Sequence, residues 1–450
     1  MNKQLQNFHY SHVLVLGLAR SGTAAAKLLL ANGVKVRVND RDTADDDQVV
    51  KELKEMGAEV IVGSHPFRVL DDIDLIVKNP GIPYDTPLME EAQDRGISII
   101  TEIELAGNLA GNSVVGITGS NGKTTTTTLT AEMLTESRQP VKVAGNIGTV
   151  ACEVADSLAP EEKMVVELSS FQLLGIERFR PKIAVLLNIF EAHLDYHKTL
   201  ENYRQAKFNI YRNQGPDDYL VYNADDPLLT EAAKEAKSIK VPFSTSQRLN
   251  HGVWADESFI YFKNEKVICL KDIVLVGKHN LENILAAVAA AKLAGASNEG
   301  IRKVLRSFSG VEHRLQYVGK VKERLFYNDS KATNTLATKK ALASFNEPVI
   351  LLAGGLDRGS TFAELKDSLQ NVKAMVLFGE TASKLEEFAE EAGVQVIVKA
   401  DDVHKAAELA YGISGEGDII LLSPACASWD QYKSFEERGD MFIQAVHKLK

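Results

Sequence analysis

The chain has 450 residues, 45% hydrophobic and 25% charged, ordinary globular proportions that allow about three domains at roughly 150 residues each. A formal net charge of −10 disfavours general binding to a nucleic-acid backbone but leaves small anions open to local basic groups, helix amino ends and metal ions. Cys152, Cys269 and Cys426 show no CxxC or zinc spacing, the start lacks a signal-peptide pattern, and no apolar run nears the ~20 residues of a membrane helix, so a cytoplasmic protein without membrane insertion is expected.

In chain order, residues 13–18 read as a buried strand, 22–31 as a helix and 34–38 as the next strand. Strands follow at 58–62, 75–77 and 98–100. Continuous apolar runs separated by helical patterns predict a parallel sheet covered on both faces. A second unit opens after Glu104 through the small polar stretch 107–113. Strand 114–118 leads into Gly119-Ser120-Asn121-Gly122-Lys123-Thr124-Thr125, and a helix covers 123–136. Strands are expected at 141–144, 164–168 and 183–187, a small antiparallel flap over 253–270, and an Ala- and Leu-rich helix over 280–294. Past Gly310 the pattern restarts, with strands at 325–328, 349–353, 374–378, 394–398 and 418–422 and helices between most of them.

The order strand, glycine loop, helix is what a phosphate site needs. Glycines let the backbone turn its N–H groups toward an anion, and the helix amino end adds its dipole. Lys123 supplies a mobile positive charge for the outer phosphates, and the Thr124 hydroxyl can reach a magnesium ion. The GxxxxGK[ST] motif requires glycine at 117, where Ile117 stands, so the loop is a shorter variant that points away from common GTPases and motor ATPases. The bland alternative is a tight turn capping a helix. The β-branched run 124–128 is a poor helix start on propensity, so a demand for hydroxyls explains its first one or two residues and the rest cap and pack.

A second glycine pattern, Gly17-Leu18-Ala19-Arg20-Ser21-Gly22, approximates GxGxxG with alanine in the middle, and Asp40 ends the next strand. Three readings stay open: a dinucleotide site, another nucleotide, or plain close packing of strand against helix. An oxidoreductase built on this loop leaves 119–125 unexplained. Further on, Glu167 closes a strand, His193 lies just past another, and Lys207 sits in a helical stretch. Carboxyl ends of parallel strands face the usual ligand crevice, and magnesium prefers oxygen ligands, so Glu167 and Thr124 suit a first ion. His193 reads equally as a metal-site group or a satisfied loop histidine. On its own Lys207 reads as part of a solvated helix face.

Together these residues resemble the Mur ligases, which extend the peptide of the bacterial cell-wall precursor. The match runs in order through 119–125, Glu167-Leu168-Ser169-Ser170-Phe171-Gln172, His193-Leu194-Asp195, 204–207, Gly277-Lys278-His279-Asn280 with Asn283, His313-Arg314 and Asn328-Asp329-Ser330-Lys331-Ala332-Thr333-Asn334. The segment Leu422-Ser423-Pro424-Ala425-Cys426-Ala427-Ser428-Trp429-Asp430, with Phe435 and Arg438-Gly439, is similar to the member that adds D-glutamate.

The resemblance implies an α/β protein of three domains: a Rossmann-like amino-terminal one (1–103), a P-loop-type central ATPase (104–309) and a Rossmann-like carboxyl-terminal one (310–450). It implies a monomeric, ATP-dependent amide-forming ligase joining D-glutamate to UDP-N-acetylmuramoyl-L-alanine, with two magnesium ions as cofactors. Arg20, Ser21, Asp40, Arg41, Asn79, Gly81 and Asn146 would hold the UDP substrate. Gly119, Ser120, Asn121, Gly122, Lys123, Thr124, Thr125, Asn283, Arg314 and Asp329 would hold ATP. Thr124, Glu167, His193 and Lys207 would hold metal, Lys207 as a carbamate, which reverses the solvated-face reading. Lys123, Glu167, His193, Lys207 and Lys331 would carry the catalysis. Thr333, Arg358, Ser428 and Phe435 would meet D-glutamate. The segment Gly354-Gly355-Leu356-Asp357-Arg358-Gly359 departs from members with lysine close to the aspartate, and Arg358 is assigned that carboxylate contact with a fork in place of a point charge. A folate-type polyglutamate ligase, which shares the ATP unit, is disfavoured by the Rossmann-like first unit and by the 423–430 segment.

Overall fold

In the computed structural model, which describes residues 3–359 and 361–449, every residue of strand His12–Leu16 is buried. That is how a strand covered on both faces of a parallel sheet should look. It is the middle of a five-stranded sheet with Lys35–Asp40 and then Glu59–Val62 on one side and Leu75–Lys78 and then Ser98–Ile100 on the other, all parallel. The sequence therefore reverses direction across the sheet at the first strand, and the 17–22 loop leaves from its carboxyl end.

The second sheet has nine strands. Its phosphate-side half runs Ile183–Leu186, Val114–Thr118, Lys163–Glu167, Val141–Gly145, all parallel. After Val114–Thr118 the chain goes out to the edge, returns through Lys163–Glu167 and crosses to the other side, so the switch point lies where the glycine loop begins. The other half adds Tyr219–Asn223 and Ile239–Ser244, which the sequence reading missed. Pro242 is tolerated in this strand because only Phe243 and Ser244 pair on its outer side, so its missing N–H interrupts no ladder bond there.

The expected flap over 253–270 is corrected. Val253–Ala255, Phe259–Phe262 and Glu265–Cys269 are antiparallel to one another, but the first pairs in parallel with Ile239–Ser244 and so extends the large sheet. Gly252 permits the approach: a Cβ there would stand 1.9 Å from the Pro242 carbonyl oxygen.

The third sheet runs Gln316–Val321, Arg324–Asn328, Ile419–Leu422, Val349–Gly354, Val372–Phe378, Val396–Lys399, parallel except for its first edge strand. That edge was also missed. Its hairpin turns on Lys322 and Glu323, both with positive φ, and not on the Asn-Gly or Asp-Gly pair that usually announces such a turn.

The chain forms two compact units, Met1–Leu270 with Glu282–Val304, and Lys271–Leu281 with Leu305–Lys450; Met1 and Lys450 lie outside the described residues. In the first unit one apolar core runs from Val13, Val15 and Leu29 through Leu105, Ala106 and Val154 to Val166 and Leu186, so the first two sheets share it. In the second unit, separate clusters cover the two faces of its sheet.

Candidate active site

Gly122, at φ +82°, turns the chain from the loop into helix Lys123–Glu136, and a Cβ on it would stand 2.0 Å from the Asn283 side-chain oxygen. Asn188, just past strand Ile183–Leu186, holds the loop's other side. Its carbonyl accepts from the Ser120 N–H at 2.9 Å, its Oδ1 accepts from the Asn121 N–H at 2.9 Å, and its Nδ2 donates to the Asn121 carbonyl at 3.2 Å. The helix starts without a side-chain hydrogen-bonding cap among the described residues. An anion at this end would meet first-turn N–H groups and the positive end of the dipole.

Two lysines converge on one carbonyl. Lys123 Nζ donates to the Gly119 carbonyl at 2.8 Å and to that of Ser120 at 3.1 Å. Lys207 Nζ donates to the same Gly119 carbonyl at 2.9 Å and lies 4.8 Å from the Tyr203 ring centre. Lys207 is 1% exposed, which corrects the solvated-face reading. Helix Leu200–Arg212 turns Tyr203, Ala206, Lys207, Ile210 and Tyr211 inward, and this spacing of three and four residues sets Lys207 on its buried face. Burial above all, then the charge of Lys123, pushes the Lys207 amine well below the usual lysine range against the pull of Glu167.

Glu167 is buried at the end of its strand; Oε1 accepts from Asn146 Nδ2 at 2.9 Å, while Oε2 has no hydrogen-bond partner among the described residues. A buried carboxylate oxygen with spare capacity is the donor chemistry a magnesium ion selects, so this acid fits the implied metal. Asn146, expected at the UDP substrate, here orients Glu167. No group of three or more His, Cys, Asp or Glu side chains that could hold a metal stands among the described residues.

His193 has φ +56° and opens the short helix Leu194–His197, with its ring 5.0 Å edge-on to Phe171. Sequence reasoning missed His197, which is buried and 2.9 Å from Ser170 Oγ. Burial, then His193 and Lys207, lower it to about 4, so it stays a neutral imidazole near pH 7. It also missed Tyr203, whose hydroxyl is 2.8 Å from Ser120 Oγ. Tyr203 lies four residues before Lys207, a spacing that puts both on one helix face and was the available signal.

At the other loop, strand and helix approach closely. A Cβ on Gly22 would stand 1.8 Å from the Gly17 carbonyl oxygen. Asp40 turns its carboxylate onto its own surroundings, accepting from Leu18 N–H at 2.7 Å, Asp42 N–H at 2.9 Å and Thr43 N–H at 2.8 Å. Burial raises its pKa, but these hydrogen bonds prevail and hold it below the usual aspartate value. Asn79 Oδ1 accepts from the Gly81 N–H at 3.1 Å, and Asn79 Nδ2 lies 3.5 Å from Ser21 Oγ. Arg20 is exposed, and Arg41 pairs with Asp42 at 3.0 Å.

The second unit gathers its own set at the carboxyl ends of its strands. Asp329 accepts from Ser423 Oγ at 2.9 Å and from the Leu315 N–H at 3.1 Å; burial raises it to about 7, against those bonds and the charge of Arg314. Lys331 Nζ is 4.9 Å from the Phe435 ring centre, and the Thr333 N–H donates to the Lys331 carbonyl at 2.9 Å. Arg358 stacks 4.5 Å from the exposed Trp429 ring, beside buried Ser428. Arg438, 0% exposed and singled out only through the resemblance, has four neutral partners: Ser330 Oγ and the carbonyls of Ser330, Gly354 and Cys426, at 2.9–3.3 Å. It fastens three loops of the site with a five-donor fork.

The family models that match are the Mur ligase MurD-like N-terminal domain over residues 11–101, the Mur ligase middle domain over 117–291 and the Mur ligase glutamate ligase domain over 313–426. Proteins named UDP-N-acetylmuramoylalanine–D-glutamate ligase are similar along the whole length. The one from Oceanobacillus iheyensis is 62% identical over 446 residues, 99% of each chain. The one from Bacillus subtilis is 54% identical over 441 residues, 98% of each chain. The chain belongs to the Mur ligases. Members of this family are ATP-dependent amide-forming ligases of peptidoglycan precursor synthesis. The fold agrees. A UDP-N-acetylmuramate–alanine ligase from Thermotoga maritima superposes with a TM-score of 0.57 at 19% identity, covering 98% of this chain and 100% of that one. A MurF ligase from the same organism, solved with ADP, gives 0.57 at 20% identity, covering 97% and 95%. The three matched segments each carry one sheet here.

Proposed function

We propose that this chain joins D-glutamate to UDP-N-acetylmuramoyl-L-alanine at the expense of ATP, through an acyl phosphate, releasing ADP and phosphate. The observation that carries the phosphoryl half is the pair of lysines, Lys123 and Lys207, on the Gly119 carbonyl beside a buried acid, Glu167. The names of the full-length relatives support the choice of substrates.

A carboxylate is a poor electrophile because an amine cannot expel oxide from it. Its oxygen attacks the γ-phosphorus in line, a new O–P bond forms, and the bond to the β-phosphate oxygen breaks to release ADP. The glutamate amine then attacks the acyl carbon, phosphate departs with the bonding pair, and the amine loses its proton to solvent or a nearby base. The loop N–H groups and Lys123 cradle the phosphates through the transfer. Thr124, Glu167, His193 and Lys207 are the residues we assign to the two magnesium ions. Magnesium supplies charge neutralisation on the transferring phosphoryl group. Lys207 is suited to carry a carbamate, because a depressed pKa frees the amine lone pair to attack carbon dioxide, and the product offers oxygens in place of an ammonium.

We assign Ser120, Asn121, Gly122, Thr125, Asn283, Arg314 and Asp329 to ATP. Arg20, Ser21, Asp40, Arg41, Asn79, Gly81 and Asn146 are assigned to the UDP substrate, and Lys331, Thr333, Arg358, Ser428 and Phe435 to glutamate and the acyl group. Functional boundaries at 103 and 309, a monomeric state and a cytoplasmic site of action complete the reading. No described helix is long and apolar enough to cross a membrane.

The test is ADP release with UDP-N-acetylmuramoyl-L-alanine and a panel of D- and L-amino acids, with Lys123→Ala in parallel. D-glutamate alone should sustain turnover, and Lys123→Ala should cost orders of magnitude with the fold intact. Turnover with a different amino acid, or near-normal ADP release by Lys123→Ala, would refute the assignment.

A further inference from the structure

Lys78 ends strand Leu75–Lys78 and is 1% exposed, yet neither the loop chemistry nor the metal assignment uses it. Its ammonium has no carboxylate partner among the described residues. It faces the carbonyls of Ile82 at 2.8 Å, Pro80 at 3.2 Å and Asn79 at 3.3 Å, and the Tyr196 hydroxyl at 3.2 Å. The Tyr84 ring centre lies 4.6 Å away and that of Tyr196 5.9 Å. Burial pushes this lysine down to about 7. An ammonium in such a place costs several kcal/mol of lost hydration unless its surroundings replace it, and carbonyls and ring faces are what replace it here.

The three carbonyls belong to one turn. One ammonium gathers those of Asn79, Pro80 and Ile82, so it sets the shape of that turn from inside. Tyr196 closes the same turn from the central segment: its hydroxyl lies 3.1 Å from the Pro80 carbonyl and 3.0 Å from that of Ile82. Lys198 and Asp85 add an ion pair at 2.7 Å between the same two segments. The Tyr196 ring then meets Phe171 edge-on at 4.5 Å, and Phe171 meets His193 at 5.0 Å. A packed line thus runs from a buried cation under the first sheet's turn to His193, all in one compact unit.

We infer that Lys78 is a positioning residue for the UDP substrate: with Tyr196 it fixes the turn that presents Asn79 and Gly81. This inference rests on the functional reading above. It predicts that loss of the ammonium weakens ground-state binding of the UDP substrate and leaves the chemical step, and the handling of ATP and glutamate, nearly untouched. A merely structural role would depress kcat through lost folded enzyme without such selectivity.

Lys78→Met keeps length and removes charge; Tyr196→Phe keeps the ring and removes the hydroxyl, and is mild enough to fold if the first variant does not. In steady-state ligation, each should raise KM for UDP-N-acetylmuramoyl-L-alanine by about tenfold or more, with kcat and the KM values for ATP and D-glutamate within about twofold of the parent. The double variant should be no worse than the worse single one, because both act on the same turn. A kcat loss at unchanged KM, an equal shift in the ATP constant, or fully multiplicative effects would overturn the inference. If the parent itself fails to ligate these substrates, the functional reading falls; if the parent turns over normally and the variants match it, this inference alone falls.

Discussion

Several ionisable side chains are buried against ordinary expectation, among them Lys78, Glu102, Lys207 and Arg438. None was legible as buried from its own position in the sequence. Hydrophobic periodicity places helix Leu200–Arg212 with Lys207 on its inner face, but single-residue reasoning defaults a lysine to solvent because desolvating its charge is costly. Tertiary context overrides that default only where carbonyls, rings or a modification replace water. Glu102 turns the same physics into a pH effect. Its Oε1 accepts from the Cys152 N–H at 2.5 Å, and burial raises it from the ordinary value of 4.5 to about 7. Between those two values the folded state holds a proton that the unfolded state has lost. Stability therefore falls as pH rises through that window, by at most about 1.4 kcal/mol per unit. Glu102→Gln keeps the acceptor and removes the titration, so it should gain on the parent between pH 5 and pH 8. Urea unfolding midpoints at the two pH values measure this, and a gap that does not change with pH would sink it.

At the level of elements, the strand–loop–helix around 119–125 was readable because each part constrains the next: a buried strand, glycines, then a helix that begins on Gly122. What was not readable is what Gly122 faces. Its φ of +82° is strained for any other residue, and an added Cβ would strike Asn283, 161 positions away in sequence (283 − 122). Gly122→Ala should therefore destabilise the protein by about 1–3 kcal/mol and weaken ATP binding by about tenfold or more. Thermal unfolding with and without ATP, alongside nucleotide titration, tests both effects; an unshifted melting temperature with unaltered affinity would disprove them. The same contrast explains the strands that escaped notice. Buried uniform runs such as Val114–Thr118 announce themselves, whereas Ile239–Ser244, carrying Pro242, and Gln316–Val321, with exposed lysine, depend on neighbours distant in sequence. Asn188 and His197 were overlooked for the same reason: their partners, Asn121 and Ser170, are brought to them by the sheet order, not by local spacing.

Across the whole molecule, three sheets are matched by three family segments, yet the first two sheets are not energetically separate. Helix Arg20–Ala31 buries Ala24, Ala25, Ala26, Leu28 and Leu29. It packs against both Glu102–Ala110 and Ala151–Asp156, whose own inward residues are mostly Ala, Leu, Ile and Val. Small residues at these positions let the helices approach closely, and the apolar area they cover belongs to one core. Domain count from length and repeated strand–helix pattern was sound as a description of chain segments, but pattern alone does not reveal which cores merge. The physical consequence concerns truncation. A fragment of residues 1–101 would expose the helix face that Glu102–Ala110 and Ala151–Asp156 cover, and hydrophobic burial is the main term that offsets chain entropy in so small a piece. It should bind an apolar dye, self-associate and unfold without a sharp transition. A fragment of residues 1–304 retains the whole shared core and should remain monomeric and unfold cooperatively. Circular dichroism melts and analytical ultracentrifugation of the two fragments decide the matter. A monomeric 1–101 with a sharp melt would mean that the first sheet carries a sufficient core of its own.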